Sequence, residues 1–306
     1  MPPVIVISCT GLLHIIFTIW TVRSLLKMGY DTIEIIVRED WEKVYLKRYL
    51  KDISCEVVDV DRGEYGIWAF RPFALEKYTI KNSTRDVVIC DTDILWKKDP
   101  RPLFKRFFNK NWVHKITALN PADLYMDIKA VPRSRIGLKT MINYMKRNDP
   151  LILPNFHLNC GLFMLSHEIF PEVLKRWVES IRTLPADEMI MTEALLSMVY
   201  AEMELNPISD REDIKHLKTV VDESVEKKVI GYDIADIPEG MFSGYQTAQH
   251  YFGSQRQLLF EDVRCLGIDE GDNLLIVARK ELNRIKIKTF PKKLKNKVKN
   301  ILGIWT

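Results

Sequence analysis

Charge is missing from the start of this chain: no Lys, Arg, Asp or Glu precedes Arg23. A hydropathy scan flags Val4 to Val22 as a membrane span, but Ser8-Cys9-Thr10-Gly11 splits that run into a strand-length piece and a helix-length piece. There is no positive n-region and no small-residue cleavage site, so neither a signal peptide nor a span is expected. Cysteine is scarce and scattered. Cys9, Cys55, Cys90, Cys160 and Cys265 include no closely spaced pair, which argues against a thiolate metal site and for buried thiols in a reducing compartment. Acids are nearly absent from the C-terminus, where ten Lys or Arg between Arg279 and Lys299 face the single acid Glu281. The formal charge of +4 therefore belongs to that tail, and the rest of the chain is net negative. Nucleic acid is excluded as the main ligand, because the globular part has no basic excess of its own. No internal repeat or low-complexity segment is present.

What remains is a globular chain. With 306 residues, 47% of them hydrophobic and 28% charged, it can bury one large α/β core or two smaller ones. Val4 to Ser8 reads as a strand, Cys9 to Gly11 as a loop, and Ile15 to Met28 as a helix ending at Gly29. The pattern repeats with strand Ile33 to Val37, a helix capped by Asp40 and running to Leu50, and strand Cys55 to Val60. A helix over Trp68 to Lys81, regular from about Arg71, precedes the next strand. Further on, Ile116 to Leu119 and Leu158 to Leu165 read as strands. Asp127 to Arg147 mixes loop and helix, Phe170 to Thr183 is a helix, and Asp187 opens another that reaches Tyr200. A linker is expected around Gly267 to Asp272. Strands alternating with helices predict a doubly wound, mostly parallel sheet.

The most informative residues are 86 to 93. Asp86-Val87-Val88-Ile89-Cys90 is a short apolar run that delivers Asp91-Thr92-Asp93 to the carboxyl end of a strand, where open α/β sheets bind ligands. If strand alternation persists, Asp91 and Asp93 face one way and Thr92 the other, so both acids reach one divalent cation. The alternative is a solvated turn in which one of the acids caps the next segment.

Four pieces stand in order: Asp91-Thr92-Asp93, Asn159-Cys160-Gly161, Asp187-Glu188 and His250 in "QHYFGS". Together they resemble the GT-A glycosyltransferases, most closely family 8, which includes glycogenin and bacterial lipopolysaccharide galactosyltransferases. The resemblance covers about residues 1 to 255. It implies an α/β GT-A fold with a mixed, mostly parallel central sheet flanked by helices. It also implies hexosyltransferase-like, metal-dependent transfer from a UDP-sugar to a saccharide or glycolipid acceptor, with retention. On this resemblance Asp91, Asp93 and His250 hold Mn2+ or Mg2+, and Cys9, Thr10 and Gly11 lie where the nucleotide base is held. Arg71, with Lys77 as its rival, serves the diphosphate, and Thr92, Gly161 and Gly253 line the donor site. Asn159 contacts the sugar, Asp187 binds it, and Glu188 lies beneath its reactive carbon. Glu188 stands where the family has Gln, which leaves an inverting mechanism with a carboxylate base open. The implied organisation is a catalytic domain over 1–270, with a nucleotide-sugar half to about 120 and an acceptor half beyond it. A basic extension follows over 271–306.

Two other readings compete. A haloacid-dehalogenase-type phosphatase also places Asp-x-Asp after an apolar strand, but usually the first of its core, whereas about three strands precede it here. A non-catalytic, membrane-associated nucleotide-sugar binder is the third. From Lys292 the tail spaces Leu294, Val298, Ile301, Leu302 and Trp305 along one helical face among lysines. That pattern suits peripheral attachment to an anionic membrane, at its cytoplasmic face, or docking on the catalytic domain.

Overall fold

A computed structural model describes residues 1–60, 69–81, 84–108, 114–119, 132–148, 157–185, 191–205, 231–234, 248–251, 256–269, 271 and 273–285. The strands are β1 (Val4–Cys9), β2 (Ile33–Val37), β3 (Ser54–Val57), β4 (Val87–Cys90), β5 (Ile94–Trp96), β6 (His114–Leu119), β7 (His157–Leu165), β8 (Gly231–Ile234) and β9 (Ala248–Tyr251). The helices are α1 (Leu12–Lys27), α2 (Asp40–Tyr49), α3 (Phe70–Lys81), α4 (Arg101–Phe108), α5 (Pro132–Met145), α6 (Phe170–Arg182), α7 (Thr192–Glu202), α8 (Arg256–Cys265) and α9, over 274–285. The main sheet has the order β3-β2-β1-β4-β7-β6, with β7 antiparallel to both its neighbours. A second, three-stranded sheet runs β5-β9-β8. The expected α/β class, with a mixed and mostly parallel sheet flanked by helices, is what the molecule adopts.

Every residue of β1 is buried, because helices cover both faces of a parallel sheet. Ile5, Ile7 and Cys9 join the core formed with α1, while Val4 and Val6 join the core formed with α3, α6 and α7. This period-two division assigns one strand to two cores. Gly11, at φ +86°, turns the chain from β1 into α1, so the helix starts three residues earlier than Ile15. At its other end Gly29 takes φ +73° and donates to the Leu26 carbonyl, while Tyr30 N–H donates to that of Leu25, closing a Schellman motif.

Three readings are corrected. Glu39, not Asp40, is the N-cap of α2, because its side chain and that of Glu42 form a reciprocal capping box. The helix expected from Asp187 to Tyr200 is described from Thr192 to Glu202 with Met191 as its N-cap, and Asp187 itself lies outside the described residues. Met191 is buried and its N–H donates to the Thr140 hydroxyl, which fixes the start against α5. The stretch around Gly267 to Asp272 is no linker but a packed corner. There Ile268 is buried, and Asp269 accepts hydrogen bonds from the Trp20 indole and the Leu275 N–H. Leu259, Phe260, Val263, Leu274 and Ala278 continue the α1 core, and Arg23 and Lys27 donate to the Ile268 and Leu266 carbonyls. The apolar N-terminal run is buried inside the protein, and among the described residues no helix is long and apolar enough to cross a membrane.

This packing predicts that α8 is a core element. Phe260 packs against Phe17 in a tilted arrangement and edge-on against Trp20, at centroid distances of 6.5 and 5.9 Å. Phe260→Ala is expected to lower the unfolding free energy by about 3–5 kcal/mol. Leu258→Ala, on the exposed side of the same helix, should change it by less than about 0.5 kcal/mol in the same urea titration. Equally small losses would mean that α8 is an appendage.

Candidate functional site

β4 ends at Cys90, and Asp91-Thr92-Asp93 forms the turn into β5. Thr92 is buried while both acids are half-buried, but the strand has already ended, so this separation belongs to the turn and not to strand alternation. The cause lies in α1. The Thr21 hydroxyl donates to the Thr92 carbonyl at 2.6 Å, and His14 Nδ1 lies 3.0 Å from the Thr92 hydroxyl. With Thr92 drawn inward from two points, its neighbours Asp91 and Asp93 are left partly exposed. Burial pushes the adjacent Cys90 thiol up to about 12, so it stays protonated at neutral pH and offers no thiolate beside the acids.

The strand next to β4 supplies the second piece. Asp91 N–H donates to the Gly161 carbonyl at 2.7 Å, which brings the Asn159-Cys160-Gly161 segment of β7 alongside the acidic turn. On its other edge β7 changes register: Ile116 pairs with Phe163 and the next residue, Thr117, pairs with Asn159. Residues 160–162 are thus an insertion in β7 relative to β6. Such irregularities re-aim the backbone beside functional sites. The third piece arrives through the small sheet, where His250 is the register partner of Ile94, the residue after Asp93.

Arg71 at the start of α3 forms an ion pair with Asp91, both side chains being about one-fifth exposed (21% and 22%). Lys77 lies six residues further on, about 9 Å along the axis, and is exposed. The helix therefore brings Arg71, and not Lys77, to the acids. The side chains of Asn159 and His250, and residues Asp187, Glu188 and Gly253, lie outside the described residues. Among the described residues no group of three potential ligands surrounds one point. Two hard carboxylates on one turn nevertheless suit Mg2+ or Mn2+, which bind through one or two carboxylates and complete their shell with substrate phosphates.

Sequence reasoning missed two residues here. His14 belongs to no sequence motif, yet it stands in the first turn of α1 against Thr92. Glu42 is fully buried and joins two loops at the carboxyl edge of the sheet. Its Oε1 accepts from the Thr10 hydroxyl at 2.9 Å and from Gly11 N–H at 2.6 Å. Its Oε2 accepts from Arg38 N–H at 2.9 Å and from Glu39 N–H at 3.1 Å. The only sequence signal for Glu42 is its position three residues after an N-cap.

Because Glu42 satisfies three peptide N–H groups and a hydroxyl at a buried point, Glu42→Ala is expected to cost about 3 kcal/mol of stability. Removing the half-exposed cap with Glu39→Ala should cost about 1 kcal/mol. Denaturant unfolding measures both, and equal losses would reduce Glu42 to an ordinary capping residue.

No family model matches the sequence, and no curated protein matches it significantly. Solved structures similar to this chain include mouse xyloside xylosyltransferase 1 in its apo form, at 14% identity over 66% of this chain and 83% of that one, with a TM-score of 0.38. The apo WbbM bifunctional glycosyltransferase matches at 15% identity over 65% of this chain and 37% of its own, with a TM-score of 0.43. A putative glucose-1-phosphate thymidylyltransferase from Bacillus anthracis, in complex with a sucrose, matches at 13% identity over 56% and 74%, with a TM-score of 0.33.

Proposed function

We propose that this chain is a GT-A glycosyltransferase of the family 8 type, moving a sugar from a nucleoside-diphosphate donor, a UDP-sugar, to a saccharide or glycolipid acceptor. The observation that carries this reading is the turn Asp91–Asp93. Two half-buried carboxylates stand at the carboxyl edge of the sheet, set by a buried Thr92 and flanked by Arg71 and Gly161. Asp91 and Asp93 would hold Mn2+ or Mg2+, with His250 as the third protein ligand. The cation, when bound, neutralises charge building on the diphosphate as the glycosidic bond breaks.

The chain's own groups do the rest. Arg71, paired with Asp91 beside the turn, would stand next to the donor's phosphate oxygens and offset the charge of the leaving group. Asn159 and Asp187 contact the donor sugar, and Glu188 lies beneath its reactive carbon, in keeping with retention by front-face attack or a covalent glycosyl intermediate. A phosphatase would need the Asp91 carboxylate as nucleophile, and its pairing with Arg71 disfavours that use. Asp93→Ala should lower sugar transfer at least about a hundredfold without unfolding the protein. Wild-type transfer by that variant would overturn the reading. Proton NMR of the fresh wild-type product from an α-linked donor should show an α linkage, and a β linkage would exclude retention.

The tail from Lys292, which lies outside the described residues, is proposed to hold the enzyme reversibly at the cytoplasmic face of an anionic membrane, near a lipid-linked acceptor. Each lysine near anionic lipid contributes about 1 kcal/mol, which suffices for attachment when added to burial of the apolar face. In liposome sedimentation at low salt the full chain should pellet, whereas a chain ending at Phe290 should stay in solution. Equal pelleting would remove the tail from the mechanism.

A further inference from the structure

The carboxyl edge of the main sheet has two halves. Asp91, Asp93 and Arg71 occupy the β4 half, while Thr10, Gly11 and Arg38 follow β1 and β2. Arg38 is the first residue after β2, whose Val37 pairs with Cys9 of β1. Glu42 clamps the backbone of Arg38 to the Thr10–Gly11 loop, so the two loops move as one piece. Gly11 has open space where a side chain would project. In the order β2-β1-β4, Arg38 stands two strand spacings, about 10 Å, from the acidic turn. A nucleoside diphosphate with its phosphates at the acids and its ribose along the edge therefore brings its base to Arg38.

Arg38 is half-buried, and its side chain is underused. A guanidinium carries five N–H donors. Among the described residues it makes one side-chain hydrogen bond, a 3.5 Å contact from Nη2 to the Val60 carbonyl, and its buried Nε has no partner. A planar donor fork held at a ligand-binding edge with donors to spare matches an acceptor-rich edge.

We infer that Arg38 is a specificity residue that reads the nucleobase of the donor, donating to the carbonyl oxygen of an oxo base such as uracil. Adenine presents an exocyclic amine, a second donor, where uracil presents a carbonyl, so its approach leaves donors facing donors. The inference rests on the function proposed above and adds to it a reason for base selection.

Calorimetric titration of the full chain with UDP, ADP and inorganic pyrophosphate, each with Mn2+, tests it. The wild type should bind UDP at least about 30-fold more tightly than ADP. Arg38→Met should bring that ratio below about threefold by weakening UDP alone, leaving ADP and pyrophosphate unchanged. Arg38→Lys retains the charge without the fork, and should lose most of the ratio as well. An unchanged ratio in the variants, or equal weakening of all three ligands, would overturn the role of Arg38 and leave the proposed function standing. A wild type that binds no nucleoside diphosphate would overturn both.

Discussion

Thr92 is the fixed point of this molecule. Its carbonyl and its hydroxyl are both held by α1, through Thr21 and His14, and this double attachment decides which way Asp91 and Asp93 face. Two carboxylates on one short turn repel each other, so they stay together only where the backbone beneath them is fixed and a positive group stands alongside. The backbone is fixed by Thr92 on one side and by the Gly161 carbonyl on the other, and Arg71 supplies the charge.

α1 is therefore more than a core helix. One stretch of it packs on β5, which follows the acidic turn, and Ser24 accepts the N–H of Trp96 there at 2.9 Å. Another carries Trp20 and Phe17 against α8 and the corner around Asp269. This enclosure explains the hydropathy of the first 22 residues: a helix covered on nearly every side needs an apolar surface nearly all round, as a membrane span does. The C-terminal packing around residues 256–285 thereby supports the geometry of a site whose acids lie far away in sequence.

Much of this was legible beforehand. β1, α1, β2, α3, β4 and α6 follow from hydrophobic periodicity and from punctuation by Gly11 and Gly29, because local signals and tertiary burial agree there. The acidic turn was legible for the same reason, since an apolar strand ending in paired acids has few stable uses. The Glu42 clamp was not, because a charged residue inside an amphipathic helix reads as solvated until the loops that cover it are placed. Glu39 displaced Asp40 as the cap through a reciprocal contact that composition alone does not rank. The corner after α8 reads as a linker from its glycines and acids, yet Asp269 is satisfied by an indole 249 positions away. Arg38 carries no signal in sequence. A single arginine after a strand becomes informative only when its guanidinium is seen with donors to spare.

The account stands on Asp91 and Asp93 acting together on a divalent cation in the presence of a diphosphate. Electron paramagnetic resonance of Mn2+ titrated into the full chain measures this without reference to an acceptor or a product. With UDP present, the loss of the free Mn2+ signal beyond that caused by UDP alone should saturate at one ion per chain, and Asp93→Ala should abolish that extra loss. A free-ion signal that falls equally in the wild type and the variant, or that tracks UDP alone, would contradict the account.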